Sequence, residues 1–310
     1  MSRQSTGRIA ELMREWHDAR ARHPRFVAGL TASFVLVTIL SIVGGGWFLD
    51  GLRHGLPESE ALDRMGDMDQ ATAVFDTNDQ LAFTIYKEQR MEVPLSDISP
   101  NLVKAIIATE DQRFYDHRGI DLIRILAAAV TNLREHRAAQ GGSTLTQQLA
   151  RQSFLSSDKT LRRKLKEAVL AWRLEREFTK DELLELYLNK VYFGDGLYGV
   201  EAAALGFFGK HARDVDVAEA ALLAGLVKSP STYAPTVNLD RALARRNVVL
   251  EAMRDTGAID ASTYTAALRS RPHLADGLRS EETYGQYFKE EVRKQLVQRF
   301  GWDRVYEGGL

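Results

Sequence analysis

Gly141-Gly142-Ser143-Thr144-Leu145-Thr146-Gln147-Gln148 lies near the middle of the chain, and its reading organises what surrounds it. Thr144 and Gln147 have the spacing of a capping box, in which hydroxyl and amide side chains satisfy each other's backbone N–H groups. A helix therefore starts after Thr144, and the two glycines before it permit a tight entry. Upstream, the pattern turns helical from Ser99-Pro100, with Pro100 in a first turn and an end near Glu110. Downstream, residues 161–178 place Arg163, Glu167, Leu170 and Leu174 at steps of three and four, so Arg163 and Glu167 share a helix face. Further helices are expected over 122–133, over 179–191 behind the box Thr179-x-x-Glu182, over 217–227 behind Asp216-x-x-Glu219, and over 238–256 with Gly257 as stop. The 217–227 segment is apolar nearly all round, the mark of a buried helix. Glycines 194, 196 and 199 interrupt the helical pattern. Strand signals gather only before Ser99, where 73–76 and 81–86 flank Asn and Asp and read as a small hairpin. The fold class is mainly α with a small β-hairpin region.

The 310 residues give room for one large or two modest domains. Lys and Arg number 41 against 42 Asp and Glu, so no global field argues for nucleic acid as a partner. The chain has no cysteine, and its seven histidines show no metal-ligand spacing. Residues 26–49 are 24 in number and uncharged; as helix they span about 36 Å against a hydrocarbon core of roughly 30 Å. Six arginines against three acids precede this stretch, and residues 50–69 carry six acids and two arginines. That asymmetry predicts one N-terminal transmembrane helix with residues 1–25 as a cytoplasmic tail and the remainder outside. A cleaved signal peptide is the alternative, against which stand the length of the run and the lack of an Ala-x-Ala site.

Two glutamates flank the central stretch. Glu110 opens Glu110-Asp111-Gln112-Arg113-Phe114-Tyr115-Asp116-His117-Arg118-Gly119, and Glu167 closes the basic run Lys159-Thr160-Leu161-Arg162-Arg163-Lys164-Leu165-Lys166-Glu167. Two carboxylates around fixed cations suit displacement of an anionic leaving group, one acting as base while the cations hold the departing charge. Arg151, Lys159, Arg163, Lys164 and Lys166 are candidates to grip phosphates, although a basic helix run is usually a solvated face. Ser143, Thr144, Gln147 and Gln148 can bond sugar or phosphate oxygens, and for Thr144 and Gln147 capping competes with that role. Asp111 and His117 can pair, which makes His117 a buttress of the glutamate loop. Glu185 and Asn189, one turn apart, are expected to tie the helix of Glu167 into place.

Together these segments resemble the five motifs of the peptidoglycan glycosyltransferases (family-51 glycosyltransferases). The first matches at Glu110, Asp111, Phe114, His117 and Gly119, and the second from Gly141 to Gln148. The third matches at Arg163, Lys164 and Glu167, and the fourth at Lys180, Leu183, Leu184, Glu185, Tyr187, Leu188 and Asn189. The fifth is Ala218-Glu219-Ala220-Ala221-Leu222-Leu223-Ala224-Gly225 with Pro230 and Tyr233. The resemblance implies a lysozyme-like glycosyltransferase domain that extends a glycan on a polyprenyl pyrophosphate, using lipid II, with inversion at the donor anomeric carbon. It assigns Glu110 as general base and Glu167 to the surroundings of the donor pyrophosphate. Implied partners are lipid II, the polyprenyl-pyrophosphate-linked glycan, the lipid bilayer and other cell-wall synthesis proteins, at the outer face of a plasma membrane. No cofactor is required, and a divalent cation such as Mg²⁺ is compatible with the reading.

The implied organisation is a spacer with the small β region over 50–95, the glycosyltransferase domain over 96–270, and over 271–310 the start of a linker toward a missing transpeptidase domain. The chain departs from the family pattern at Ala127, where arginine is usual, and at Arg151, where lysine is favoured; Arg124 lies on the same helix face as Ala127's neighbourhood. The apolar run 122–130 fits equally a core helix and a segment that dips into the outer leaflet. Two rival functions share these features: a lysozyme-like or lytic hydrolase of the same polymer, and a catalytically silent membrane-anchored scaffold.

Overall fold

The computed structural model describes residues 24–53, 56–58, 61–62, 65, 72–75, 77, 81–85, 89–135, 141–155, 160–275, 286–301, 304–305 and 310. The chain divides into two units, 1–56 and 57–310.

In the first unit, helix α1 (Pro24–Arg53) runs for 30 residues, about 45 Å. Its Ala28–Trp47 portion is the one helix among the described residues long and apolar enough to cross a membrane. Thr31 and Thr38 turn their hydroxyls onto the Ala28 and Phe34 carbonyls, which hides polar atoms that hydrocarbon would penalise.

The second unit starts with the expected hairpin, β1 (Thr72–Phe75) antiparallel to β2 (Leu81–Ile85). The C-terminal helix α12 (Gln286–Phe300) returns to it: Val305 is fully buried among Val74, Val292, Leu296 and Val297. Thr72 fastens that return, its hydroxyl donating to the Val305 carbonyl at 2.6 Å.

Between them lies the helical body. It comprises α2 (Pro100–Glu110), α3 (Leu122–Glu135), α4 (Leu145–Phe154), α5 (Leu161–Glu177), α6 (Lys180–Lys190), α7 (Val200–Phe208), α8 (Val217–Leu226), α9 (Pro230–Tyr233), α10 (Leu239–Asp255) and α11 (Ala261–Arg269). The capping boxes read from the sequence are all formed, at Thr144, Thr179 and Asp216, and Pro100 opens α2 as expected. Helix α8 is the hub. Residues Ala218 to Leu226 are buried on every side, and its alanines let α2 and α10 approach closely. A second cluster joins α4, α5 and α6 through Leu145, Leu149, Leu170, Leu174, Leu183 and Leu184, all buried.

Three glycine positions carry strands that the helical pattern concealed. Gly194, Gly196 and Gly199, each with positive φ, turn the chain through β4 (Tyr192–Gly194) and β5 (Leu197–Tyr198). β5 also pairs in parallel with β3 (Gln89–Arg90), so a small three-stranded sheet sits beside the end of α6.

Candidate active site

The site is assembled at the C-terminal end of α2. Glu110 is its last residue and stays partly exposed, while Asp111, the C-cap, is fully buried. A buried carboxylate persists only when donors and cations surround it. Asp111 Oδ2 accepts from His117 Nε2 at 2.9 Å and from the Leu145 N–H at 3.0 Å, and Arg124 Nη1 lies 3.5 Å from Oδ1. Asp111 and His117 are thus paired as the sequence suggested, and Asp111 is also engaged with the first turn of α4. Arg124 is drawn to the same carboxylate.

The loop that follows ends at Gly119, where φ is +81°. A Cβ there would stand 2.8 Å from the backbone C and O of Ala171, one turn beyond Glu167 on α5. Only glycine permits this approach of the Glu110 loop to the Glu167 helix. The Thr144 hydroxyl donates to the Gly119 carbonyl at 2.7 Å and accepts the Gln147 N–H at 3.1 Å. Gln147 Oε1 accepts the Thr144 N–H in return. Both side chains are buried, and both form the capping box read from the sequence.

Ser143 and Gln148, at the two ends of the same stretch, reach the two glutamates. Gln148 Nε2 donates to Glu110 Oε2 at 2.8 Å. Ser143 Oγ accepts from Lys164 Nζ at 2.6 Å, and the same ammonium donates to Glu167 Oε2 at 2.9 Å. Arg163 Nη1 donates to the other oxygen, Glu167 Oε1. Glu167 is only 2% exposed, so this i,i+4 pair is a buried, charge-assisted contact rather than a surface one. Lys166 is about 100° round α5 from Glu167, off that face. Arg151 is one turn past Gln148 on α4, and its charge is felt at the Tyr187 phenol. Lys159 lies outside the described residues.

Glu185 and Asn189 act elsewhere than expected. Glu185 Oε2 accepts the Leu95 N–H at 2.7 Å; Asn189 accepts the Val93 N–H at 3.1 Å and donates to its carbonyl at 2.9 Å. They bind the extended 93–95 segment to α6, rather than fastening α5, and their polar atoms face backbone. Glu175 takes over the link between helices, its Oε1 accepting from Thr146 Oγ1 at 2.6 Å and from Lys180 Nζ at 2.7 Å. Lys180 also sits 4.4 Å above the Phe114 ring.

Tyr187, present in the sequence reading only as a motif match, is the largest fully buried side chain among the described residues. Its hydroxyl donates to Gln148 Oε1 at 3.3 Å. Burial first, and the negative charges of Glu110 and Asp111 after it, push the phenol well above its ordinary value, so it keeps its proton.

The α3 surface completes the setting. Leu122, Ile123, Leu126 and Val130 are between 58% and 69% exposed, which rules out the core-helix reading of 122–130. Leu161, Leu165 and Trp172 on α5 are exposed as well. Among the described residues no group of three or more His, Asp or Glu side chains is placed to hold a metal ion.

Residues 78–254 match the family model described as Transglycosylase. Penicillin-binding protein 1A of Aquifex aeolicus (strain VF5) is 40% identical over 274 residues, which cover 88% of this chain and 37% of that protein. Penicillin-binding protein 1A of Escherichia coli (strain K12) is 41% identical over 283 residues, covering 89% of this chain and 33% of that protein. A solved structure of penicillin-binding protein 1A from Haemophilus influenzae aligns at 27% identity with a TM-score of 0.45, over 77% of this chain and 26% of that one. The chain spans about a third of the length of the curated relatives it matches.

Proposed function

The chain belongs to the transglycosylase family, and from that premise we propose that it is a peptidoglycan glycosyltransferase that polymerises lipid II at a membrane surface. The acceptor's 4-hydroxyl attacks the donor anomeric carbon from the face opposite the pyrophosphate. A new C–O bond forms there as the bond to the pyrophosphate oxygen breaks, which inverts the centre. The hydroxyl proton passes to Glu110, and the bonding pair leaves with the polyprenyl pyrophosphate. Lys164 and Arg163, fixed by Glu167, meet the charge that grows on the leaving group, the place where preorganised cations lower a barrier most.

The observation that carries this reading is the Gly141–Gln148 stretch, which touches Glu110 through Gln148 and the Lys164–Glu167 pair through Ser143. On this reading one short segment contacts both the proton acceptor and the cation clamp. Hydrolysis of a finished strand requires no such clamp, so the arrangement favours transfer over lysis. The exposed apolar side chains of α3 fit contact with the outer leaflet, where the lipid tails of donor and acceptor lie. Helix α1 would tether the chain, its basic N-terminal side in the cytoplasm and the remainder outside.

The test is polymerisation of labelled lipid II by the detergent-solubilised chain. Glu110→Gln should lower turnover by roughly 10²- to 10⁴-fold, the range for a removed general base, while the protein stays folded. Polymer at the wild-type rate from Glu110→Gln would end the assignment.

A further inference from the structure

We propose that Tyr187 is a positioning residue for this transfer: through the Gln148 amide it holds the Glu110 carboxylate in the orientation that receives the acceptor's proton. The inference rests on Glu110 being the base. Its geometry is a relay across three elements, Tyr187 Oη to Gln148 Oε1 at 3.3 Å and Gln148 Nε2 to Glu110 Oε2 at 2.8 Å, running from α6 through α4 to the end of α2.

A primary amide has one accepting end and one donating end, and only its partners decide which way it points. With the phenol protonated and donating, the Gln148 oxygen faces Tyr187 and its NH₂ faces the carboxylate. Turning the amide over would set its oxygen against Glu110 Oε2, two acceptors facing each other, and would take from the phenolic proton the acceptor it has on Gln148. The phenol is suited to that task because it is buried in a fastened helix and holds its proton. Tyr187 is 0% exposed, and α6 is fastened on both sides of it by Glu185 to Leu95 and Asn189 to Val93. Burial and the neighbouring charge of Glu110 keep its proton in place, Arg151 opposing only in part.

One carboxylate oxygen is thereby committed to Gln148. Among the described residues the structure gives Glu110 Oε1 no hydrogen bond, and that oxygen remains for the incoming hydroxyl. A side chain with several rotamers is thus restricted to one productive placement. Misplacement at a reacting centre costs rate rather than binding.

The experiment uses the full chain in detergent with labelled lipid II. Tyr187→Phe keeps the buried ring and deletes the hydroxyl. We expect kcat to fall about three- to tenfold, the factor that one net hydrogen bond converts to, with KM within about twofold of wild type. Gln148→Met should lose at least as much, and Tyr187→Phe added to Gln148→Met should cost nothing further, because the relay is already cut. Wild-type kcat for Tyr187→Phe overturns the proposal, as does an equal loss in the Gln148→Met background or a loss confined to KM. If Tyr187→Phe does not fold, Gln148→Met alone decides: full kcat in that variant refutes the relay. Glu110→Gln is run alongside. An active Glu110→Gln refutes the base itself, whereas an inactive one beside a fully active Tyr187→Phe refutes the relay only.

Discussion

Replacing Gly119 by alanine tests whether the two glutamates are held together by one glycine. The backbone there is left-handed, φ +81°, which costs a residue with a Cβ about 1–2 kcal/mol. The added carbon would also stand 2.8 Å from the Ala171 C and O and 3.0 Å from the Trp172 N. These are helix backbone atoms and cannot rotate aside, so the loop or α5 must shift; overpacking of this kind costs about 1–3 kcal/mol more. A total of roughly 3 kcal/mol lowers the melting temperature of a unit this size by about 6–12 °C. Gly196→Ala is the control. It has φ +80° with nothing within 4 Å of its Cβ, so it carries only the left-handed cost, about 2–8 °C. Thermal unfolding followed by circular dichroism separates the two. Turnover of lipid II by Gly119→Ala should fall further than stability does, because the shift stretches the Thr144–Gly119 bond that sets Glu110 against α5. If Gly119→Ala and Gly196→Ala melt within about 1 °C of each other, the close approach is not what this glycine serves.

Three other perturbations read separate parts of the site. Lys164→Met removes the ammonium between Ser143 and Glu167, and should lower turnover at least about a hundredfold as a lost charge-stabilising donor. A loss seen only in melting temperature would retire its part in phosphate binding. Asn189→Ala strips both backbone groups of Val93 of their partners and should cost about 2–6 kcal/mol in unfolding by denaturant, from roughly 1–3 per orphaned group; an unchanged midpoint would refute the tie. Asp121 gives a pH dependence. Burial alone would raise its carboxyl, but bonds from Arg113 and the Arg124 N–H, with the charges of Arg113 and His117, hold it below the usual range. A depressed folded value means stability that is present above the unfolded carboxylate value, about 3.9, and lost as pH falls through the folded one. The melting gap between wild type and Asp121→Asn should therefore be full at neutral pH and close below about pH 4. A gap constant down to pH 3 would show that the pair contributes nothing through charge.

Helix starts were legible because they are local. Thr144, Thr179 and Asp216 each satisfy backbone donors within three residues, so nothing distant can alter them. The short strands β4 and β5 were not legible, because they are two or three residues long and depend on β3, roughly a hundred residues earlier in the chain. The same distinction separates the site residues. Arg163 and Glu167 share a turn of one helix, and their pairing follows from spacing. The destinations of Glu185 and Asn189 do not, since Leu95 and Val93 come from a segment with no periodic signal of its own. Tyr187 was hidden for another reason. On α6 it reads like Leu183, Leu184 and Leu188, a core position, and only the placement of its hydroxyl against Gln148 sets it apart.

The two glutamates are chemically unequal, and the inequality fits the parts proposed for them. Each oxygen of Glu167 already accepts from a cation, and the group is nearly sealed from solvent. Both of its oxygens are thus committed to cations rather than open to an incoming hydroxyl. Glu110 carries one neutral amide donor on one oxygen and lies partly open. A general base needs an oxygen within hydrogen-bond reach of the proton it takes, and of the two groups only Glu110 has one to offer. The cations that occupy Glu167 are of the kind a departing diphosphate would need on the proposed reading. On the proposed reading the buried carboxylate holds the positive charge in place, while the partly exposed one stays available for the proton.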